Sequence, residues 1–356
     1  MSKIVDKTYC ASSYLQYRTV YDRSRTFAEG VEPIYAPEYE GRAEIHDSRE
    51  LGEHIASEMK RFVTENRAAL ALSGGIDSAI LAKFMPEGSQ SYTFKCVVPG
   101  IEVADETPIA AKYAAECGLK HQIIEMWWED FERYAPILMR HKGAPIHSIE
   151  VQIYKAALQA KADGYDALIF GESADVNYGG MSGLLSREWS FDEFVERYSY
   201  VDPSKVLKDW ECVTEPIEKY TVNGMTDAHE FNRNVFLRES LSSYHNACEC
   251  AGIKFLSPFA TSRLAVPLDI ERVRRGENKY LVREVFNGLY PSFEIPPKLP
   301  MPRATNEWFR DWSGPVREEF REGCVEGLGG DQRWLVWCLE RFFRMIDEGD
   351  FANEAK

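Results

Sequence analysis

Features that define several common protein classes are missing from this sequence of 356 residues. No apolar run approaches the roughly 20 residues that a membrane-spanning helix needs, and the first residues lack the apolar core of a secretory signal. The eight cysteines include no C-x-x-C pair, which argues against a structural zinc site and against a redox pair. We therefore expect a cytoplasmic protein with no membrane partner.

Basic residues are also outnumbered by acidic ones, 42 against 57. The formal net charge is -15, whereas a general nucleic-acid surface needs clustered cations that replace phosphate counterions. One basic stretch, Arg272–Arg275 followed by Lys279 and Arg283, is typical of a solvated helix face. The charge balance therefore argues against nucleic acid as a partner.

The sequence is organised around one loop, in which an apolar run leads into the string Ser73–Ser78 and then into an amphipathic segment. Gly74 and Gly75 let the backbone approach a phosphate closely with several N–H groups pointing inward, and the two serines add hydroxyl donors. Asp77 would repel a phosphate unless a divalent cation lay between them, so we interpret it as a magnesium ligand. The alternative is an ordinary N-cap at a helix start.

Apolar segments typical of strands alternate with segments of helical periodicity. The predicted strands are residues 68–72, 91–98, 121–126 and 167–170. Such alternation indicates a parallel sheet with helices on both faces and ligands at the carboxyl ends of the strands. The predicted fold class is therefore α/β, with a parallel sheet flanked by helices and a mainly helical C-terminal region.

The same pattern divides the chain into three parts. Residues 1–45 show little periodicity, and we expect them to wrap the surface as an N-terminal extension. Residues 46–190 form the predicted α/β core. Residues 191–356 form a mainly helical part that completes the domain, including an aromatic helix over residues 334–346 for which the sequence indicates no function.

A second polar loop, Gly171–Gly180, follows the fourth predicted strand. It holds two carboxylates, Glu172 and Asp175, with glycine on either side. Because both loops follow strands of a parallel sheet, we expect them at the same edge of that sheet. A surface turn is the alternative, since Asp and Gly favour turns.

Both loops resemble those of one enzyme family. Ser73–Ser78 resembles the pyrophosphate loop of the N-type ATP pyrophosphatases, the group that contains asparagine synthetase, GMP synthetase and NAD synthetase; it is not a Walker loop, because no Gly-Lys-Ser/Thr follows. Gly171–Gly180 is similar to the Ser-Gly-Glu-Gly-x-Asp-Glu-x-x-Gly-Gly signature of asparagine synthetases and their β-lactam-forming relatives. Gly276–Arg283 resembles the family's Gly-Lys-x-x-Leu-Arg helix, and Ile295–Lys298 the segment of its late catalytic lysine. The resemblance implies the adenine nucleotide α-hydrolase-like fold.

The resemblance also implies an AMP-forming carbon–nitrogen ligase that uses ATP and Mg²⁺. A small-molecule carboxylic acid would be adenylated with release of pyrophosphate, and ammonia or an amine would then displace AMP. Glu172 would be the base, and Lys298 the cation at the adenylate unless it is a surface lysine. Asp77 and Asp175 would bind the metal. The residues expected to bind ATP or pyrophosphate are Leu72, Ser73, Gly74, Gly75, Asp77, Ser78 and Gly171, with Lys279 and Arg283 as weaker candidates.

Departures from the family pattern concern the nitrogen source and the acid. Asparagine synthetases have a cysteine after the initiator methionine and an N-terminal glutaminase domain, whereas Ser2 stands here and a short segment precedes the first core helix. We therefore expect no glutaminase activity, with nitrogen supplied as ammonia, by a separate glutaminase or by a substrate amine. Pro145–Ser148 replaces the family's Thr-x-x-Arg element for aspartate, so we expect a different acid.

Three alternatives to this ligase stay open at the level of sequence. The first is closure of an internal amide, as in the β-lactam synthetases. The second is a pyrophosphate-loop enzyme that modifies nucleic acid. The third is a non-catalytic, nucleotide-binding relative.

Overall fold

The computed structural model describes residues 3–297 and 301–351. Within these ranges the strands are β1 (Ile4–Val5), β2 (Arg25–Thr26), β3 (Ala43–Ile45), β4 (Ala68–Ala71), β5 (Gln90–Cys96), β6 (Lys120–Met126), β7 (Ala167–Ile169), β8 (Trp189–Ser190), β9 (Thr221–Val222), β10 (Met225–Thr226), β11 (Lys254–Leu256) and β12 (Ser262–Leu264). The helices are α1 (Lys7–Tyr17), α2 (Ser48–Glu65), α3 (Ile76–Ala82), α4 (Thr107–Glu116), α5 (Trp128–Lys142), α6 (Ser148–Ala162), α7 (Ala174–Asn177), α8 (Ser182–Leu185), α9 (Phe191–Tyr198), α10 (Pro203–Val206), α11 (Glu215–Glu218), α12 (Ala228–Phe231), α13 (Leu237–Ala251), α14 (Ile270–Arg274), α15 (Tyr280–Leu289), α16 (Thr305–Trp308) and α17 (Gly330–Asp347). A π-helix, Asn232–Phe236, joins α12 to α13.

The core is a five-stranded parallel sheet in the order β11-β7-β4-β5-β6. Strands β4 and β7 are buried at every position, as expected for a parallel sheet covered on both faces. The predicted α/β class is confirmed, and the four predicted strands are present. Strand β11 was not predicted, because it is defined by its pairing with β7, which lies far away in sequence.

Helices cover this sheet and pack on one another. Helix α6 contacts β5, β6 and β7 and packs against α5 and α13, whereas α4 contacts β5 and β6, and α15 packs against α2 and α3. Helix α5 is absent from the sequence prediction. It contains Pro136, a residue that normally argues against a helix interior.

Helix α2 shows how local sequence sets these elements. Asp47 is its N-cap, and the Asp47 side chain accepts a hydrogen bond from the N–H of Glu50. The apolar residues that follow at helical spacing, Leu51, Ile55 and Met59, are fully buried. Capping and periodicity together fix the start of the helix and its inward face.

The N-terminal segment differs from the surface extension expected from the sequence. Helix α1 is buried from Tyr9 to Tyr17 and packs against the late helix α17. The Tyr14 hydroxyl and the Trp334 indole N–H both donate to the carbonyl of Ile146, at 2.8 and 3.1 Å. The aromatic helix predicted near residue 334 is therefore a core helix, and the division at residue 45 stays a prediction.

All eight cysteines lie within the described residues, and none of them forms a disulfide bond. No helix within residues 3–297 and 301–351 has both the length and the apolar character needed to cross a membrane.

Candidate active site

Both polar loops emerge at the carboxyl edge of the sheet, the first after β4 and the second after β7. Gly171 lets the two loops touch. A Cβ on this glycine would lie 2.9 Å from the Cβ of Asp77, closer than real Cβ contacts, and 3.1 Å from the backbone nitrogen of Ser78, which is tighter than most such contacts. The predicted nucleotide-binding position Gly171 therefore has a demonstrable role in bringing the loops together.

The first loop is held in shape by its own hydroxyl groups. The oxygens of Ser73 and Ser78 lie 2.9 Å apart, and Ser73 Oγ accepts from the N–H of Gly75 at 3.1 Å. Leu72 is buried and donates its N–H to the carbonyl of Tyr92 on β5. Helix α3 has seven residues and therefore supplies little helix dipole. An anion would bind mainly to the amides and hydroxyls of the loop.

Glu106, which the sequence analysis missed, faces the same loop. Its carboxylate oxygen accepts a hydrogen bond from the N–H of Gly74 at 3.0 Å, and the side chain is 4% exposed. Burial raises the pKa of Glu106 to about 7, against the opposing effect of the Gly74 N–H. The position after Asp105 carried no motif, so only the structure places a carboxyl group on an amide of the first loop.

Lys279 joins the two loops by charge. Its Nζ lies 2.6 Å from a carboxylate oxygen of Asp77 and 3.0 Å from one of Asp175. Burial lowers the pKa of Lys279, but these two carboxylates raise it more, to about 12. Lys279 is therefore a permanent cation between the two predicted metal ligands.

The two carboxylates are compatible with a magnesium site. Because Asp77 and Asp175 both contact one nitrogen atom, their oxygens converge on one small region. Mg²⁺ is usually held by one or two carboxylates together with phosphate oxygens and water. No group of three or more acidic, histidine or cysteine side chains suited to a metal exists in the described part of the chain, so the nucleotide would have to complete the coordination.

The predicted base Glu172 lies beside this cluster. Its Oε1 accepts from the hydroxyl of Ser240 on α13 at 2.8 Å. Burial raises the pKa of Glu172, against the effect of the Ser240 hydrogen bond, and the charge of Asp175 adds to the increase. A raised pKa suits a carboxylate that accepts a proton in catalysis.

Backbone conformations at the site are unusual. Ser173 and Lys279 have φ values of 75° and 53°, in the left-handed region that non-glycine residues rarely adopt. Such conformations cluster at functional sites, where the surrounding contacts hold them. Here both residues adjoin the loops that form the cleft.

The cleft between the loops contains most of the predicted site residues. It is lined by Leu72, Ser73, Gly74, Gly75, Asp77, Ser78, Gly171, Glu172, Asp175, Lys279 and Arg283, together with Glu106, Phe94, Phe170 and Tyr244. Lys298 lies outside the described residues, although Pro296 and Pro297 before it line the cleft.

The segment Pro145–Ser148 is buried beside the first helix. His147 Nε2 lies 2.8 Å from an Arg18 nitrogen, and the other terminal nitrogen of Arg18 pairs with Glu239 at 2.7 Å. Burial and the charge of Arg18 hold the pKa of His147 well below its usual value. Within residues 3–297 and 301–351, the cations that act on His147 are Arg18, Arg303 and Lys142, and each of them pairs with a carboxylate.

The fold and the paired loops define an α/β protein of the pyrophosphate-loop class. A sequence model of the asparagine synthase family matches residues 50–329, and this chain belongs to the asparagine synthase family. Membership supports an ATP-dependent ligase of the amide-forming type.

Comparison with solved structures gives a weaker likeness. The NH3-dependent NAD synthetase from Campylobacter jejuni subsp. jejuni NCTC 11168, in complex with the nitrate ion, is 16% identical, and the match covers 38% of this chain and 61% of that chain with a TM-score of 0.26. A likeness at this level carries no argument about function. No curated protein matches the chain.

Proposed function

We propose that this protein adenylates a small-molecule carboxylic acid and converts it to an amide. A carboxylate oxygen of the acid attacks the α-phosphorus of ATP, and the bond from that phosphorus to the bridging oxygen breaks, releasing pyrophosphate. The nitrogen of ammonia or an amine then attacks the acyl carbon, AMP leaves, and the nitrogen loses a proton.

The observation that carries the proposal is the cluster of Asp77, Asp175 and Lys279 at the meeting point of the two loops. Amides and hydroxyls of the first loop are suited to pyrophosphate. Lys279 is a fixed cation that can stabilise negative charge developing on the leaving group. The helical part of the chain supplies Lys279 and also Ser240, which supports its role in completing the synthetase domain.

Asp77 and Asp175 are the residues that would hold Mg²⁺. The ion, when bound, would neutralise charge on the phosphates of ATP. Lys298 keeps its predicted role as the cation at the adenylate.

Glu172 is the proposed base for the nitrogen nucleophile. Its side chain lines the cleft and accepts a hydrogen bond from Ser240, which supports this role. The paired state of Arg18 supports an acid other than aspartate, because this cation beside His147 already has a carboxylate partner.

Exchange of labelled pyrophosphate into ATP, measured over a panel of acids, tests the first half-reaction. Asp77→Ala should abolish exchange. Glu172→Gln should preserve exchange and stop amide formation, whereas Glu196→Gln, an exposed control, should leave both unchanged. Full amide synthesis by both site variants would refute these roles, and strong turnover with aspartate plus ammonia would refute the proposed acid specificity.

A further inference from the structure

A second pocket in the protein is rich in arginine. It lies between the segment around Tyr39 and the π-helix Asn232–Phe236. Its charged lining residues are Arg23, Arg42, Arg233, Arg238 and Arg263, with Glu38 and Glu230 as the acidic members. We call this site the arginine pocket. An excess of cations in one place is unexpected by chance in a chain with a net charge of -15.

Three of these arginines have carboxylate partners, whereas Arg23 and Arg42 face tyrosine rings. The guanidinium of Arg23 lies 4.6 Å from the centre of the Tyr35 ring, and that of Arg42 lies 5.9 Å from the centre of the Tyr39 ring. Arg233 pairs with Glu230 at 2.8 Å, and similar pairs occupy Arg238 and Arg263. Among residues 3–297 and 301–351, no carboxylate lies within 4.0 Å of the Arg42 guanidinium, and its buried Nε has no acceptor. Burial and the charges of Arg233 and Arg263 lower the pKa of Arg42, so an anion would relieve an existing repulsion.

The backbone at the pocket is also irregular. Arg233 and Asn234 belong to the π-helix, a widened turn that is rare and frequently found at functional sites. The Asn234 amide donates to the carbonyl of Glu230 at 2.8 Å. The irregular turn thus presents a cation and an amide on the wall of the pocket.

The arginine pocket and the cleft are linked through helix α13. Tyr39 and Leu241 line it, and Leu241 directly follows Ser240, which donates to Glu172. Burial raises the pKa of Tyr39 to about 12, with Arg42 opposing and the charge of Glu172 adding to the increase. Tyr39 is therefore near both Arg42 and the proposed base Glu172.

We propose that the arginine pocket binds an anionic group, a carboxylate or phosphate, at the far end of the acid that the enzyme adenylates. This inference rests on the proposed function. The planar guanidinium of Arg42 suits the paired oxygens of such a group. Arg233 and Arg263 add long-range charge, and the substrate would be an acid with two anionic ends.

Calorimetric titration tests the site without catalysis. The probes are glutarate, adipate and 3-phosphoglycerate, each compared with butyrate as a monoanion. Wild-type protein should bind at least one dianionic probe about tenfold more tightly than butyrate, and Arg42→Gln should remove that preference. Arg42→Lys should retain part of it. Arg49→Gln, on the exposed face of α2, should behave as the wild type.

Two further measurements keep the inference falsifiable. Arg263→Gln, whose side chain is half exposed, should weaken dianion binding severalfold and replaces Arg42→Gln if that variant fails to fold. Inorganic phosphate should compete with the bound diacid. Equal binding of monoanions and dianions, or phosphate binding that leaves diacid affinity unchanged, would overturn the proposal.

Pyrophosphate exchange over the same probes separates this inference from the proposed function. Exchange that is equally fast with butyrate and diacids, and is insensitive to Arg42→Gln, would refute the arginine pocket while supporting the ligase. Dianion binding that depends on Arg42, without exchange for any acid, would support the anion site and count against the ligase.

Discussion

The contact between Glu106 and Gly74 makes a quantitative prediction about pH. The folded-state pKa of Glu106 is raised to about 7 from an ordinary value of 4.5, so the folded protein binds the proton more tightly than the unfolded chain. The associated stability is fully present below pH 4.5 and is lost as the pH rises through about 7. The shift corresponds to about 3 kcal/mol, of which about 2.5 kcal/mol falls between pH 5 and pH 8.

Glu106→Gln should remove this dependence, because glutamine stays neutral and can still accept from the Gly74 N–H. Urea denaturation at pH 5 and pH 8 would measure it. The variant and the wild type should be nearly equal at pH 5, whereas at pH 8 the variant should be more stable by about 2–3 kcal/mol. Glu102→Gln, an exposed change in the same connection, should follow the wild type. Equal pH dependence in Glu106→Gln and wild type would refute the reasoning.

The same variant has a consequence for ligand binding. An ionised Glu106 on the Gly74 amide repels an incoming pyrophosphate, whereas a neutral side chain does not. Pyrophosphate should therefore bind Glu106→Gln severalfold more tightly than wild type at pH 8, and about equally at pH 5. A lower affinity of the variant at pH 8 would show that the carboxylate assists binding.

Three other substitutions test the packing and charge of the site. Lys279→Met should lower the unfolding free energy by about 3 kcal/mol. Mg²⁺ should raise the melting temperature of this variant more than that of the wild type, and equal increases would contradict a site that Lys279 and Mg²⁺ share. Gly171→Ala should lower the unfolding free energy by about 1–3 kcal/mol and slow pyrophosphate exchange, and unchanged exchange would argue against contact between the loops. Gly288→Ala, in open space on α15, should instead raise the unfolding free energy by about 0.5–1 kcal/mol. Tyr14→Phe removes a donor to Ile146 and should cost about 1 kcal/mol by urea denaturation, so an unchanged midpoint would count against that bond.

The parallel sheet was predictable because its signals are local. Strands such as β4 are short apolar runs followed by polar loops, and the capping pattern at Asp47 marks the start of α2. Elements without such signals were missed. Strand β11 is defined by pairing with β7, a contact between segments far apart in sequence.

The candidate site shows the same limit. Residues within motifs, including Asp77, Glu172 and Lys279, lie together in the cleft. Glu106 was missed because its relation to Gly74 depends on the packing of a separate connection against the first loop. Arg42 was missed for a related reason, because the residues around it come from three distant segments. Its lack of a carboxylate partner among the described residues also leaves no trace in the sequence pattern.

The shared contact at the Ile146 carbonyl has a consequence for the order of folding. Helix α17 packs against helix α1 although it begins more than 300 residues later in the chain. Contacts of such long range form late, because closing a large loop costs entropy before the contact repays it. Until α17 has been synthesised, the side of α1 that it covers therefore stays exposed, and we expect truncation of α17 to destabilise the N-terminal part of the fold.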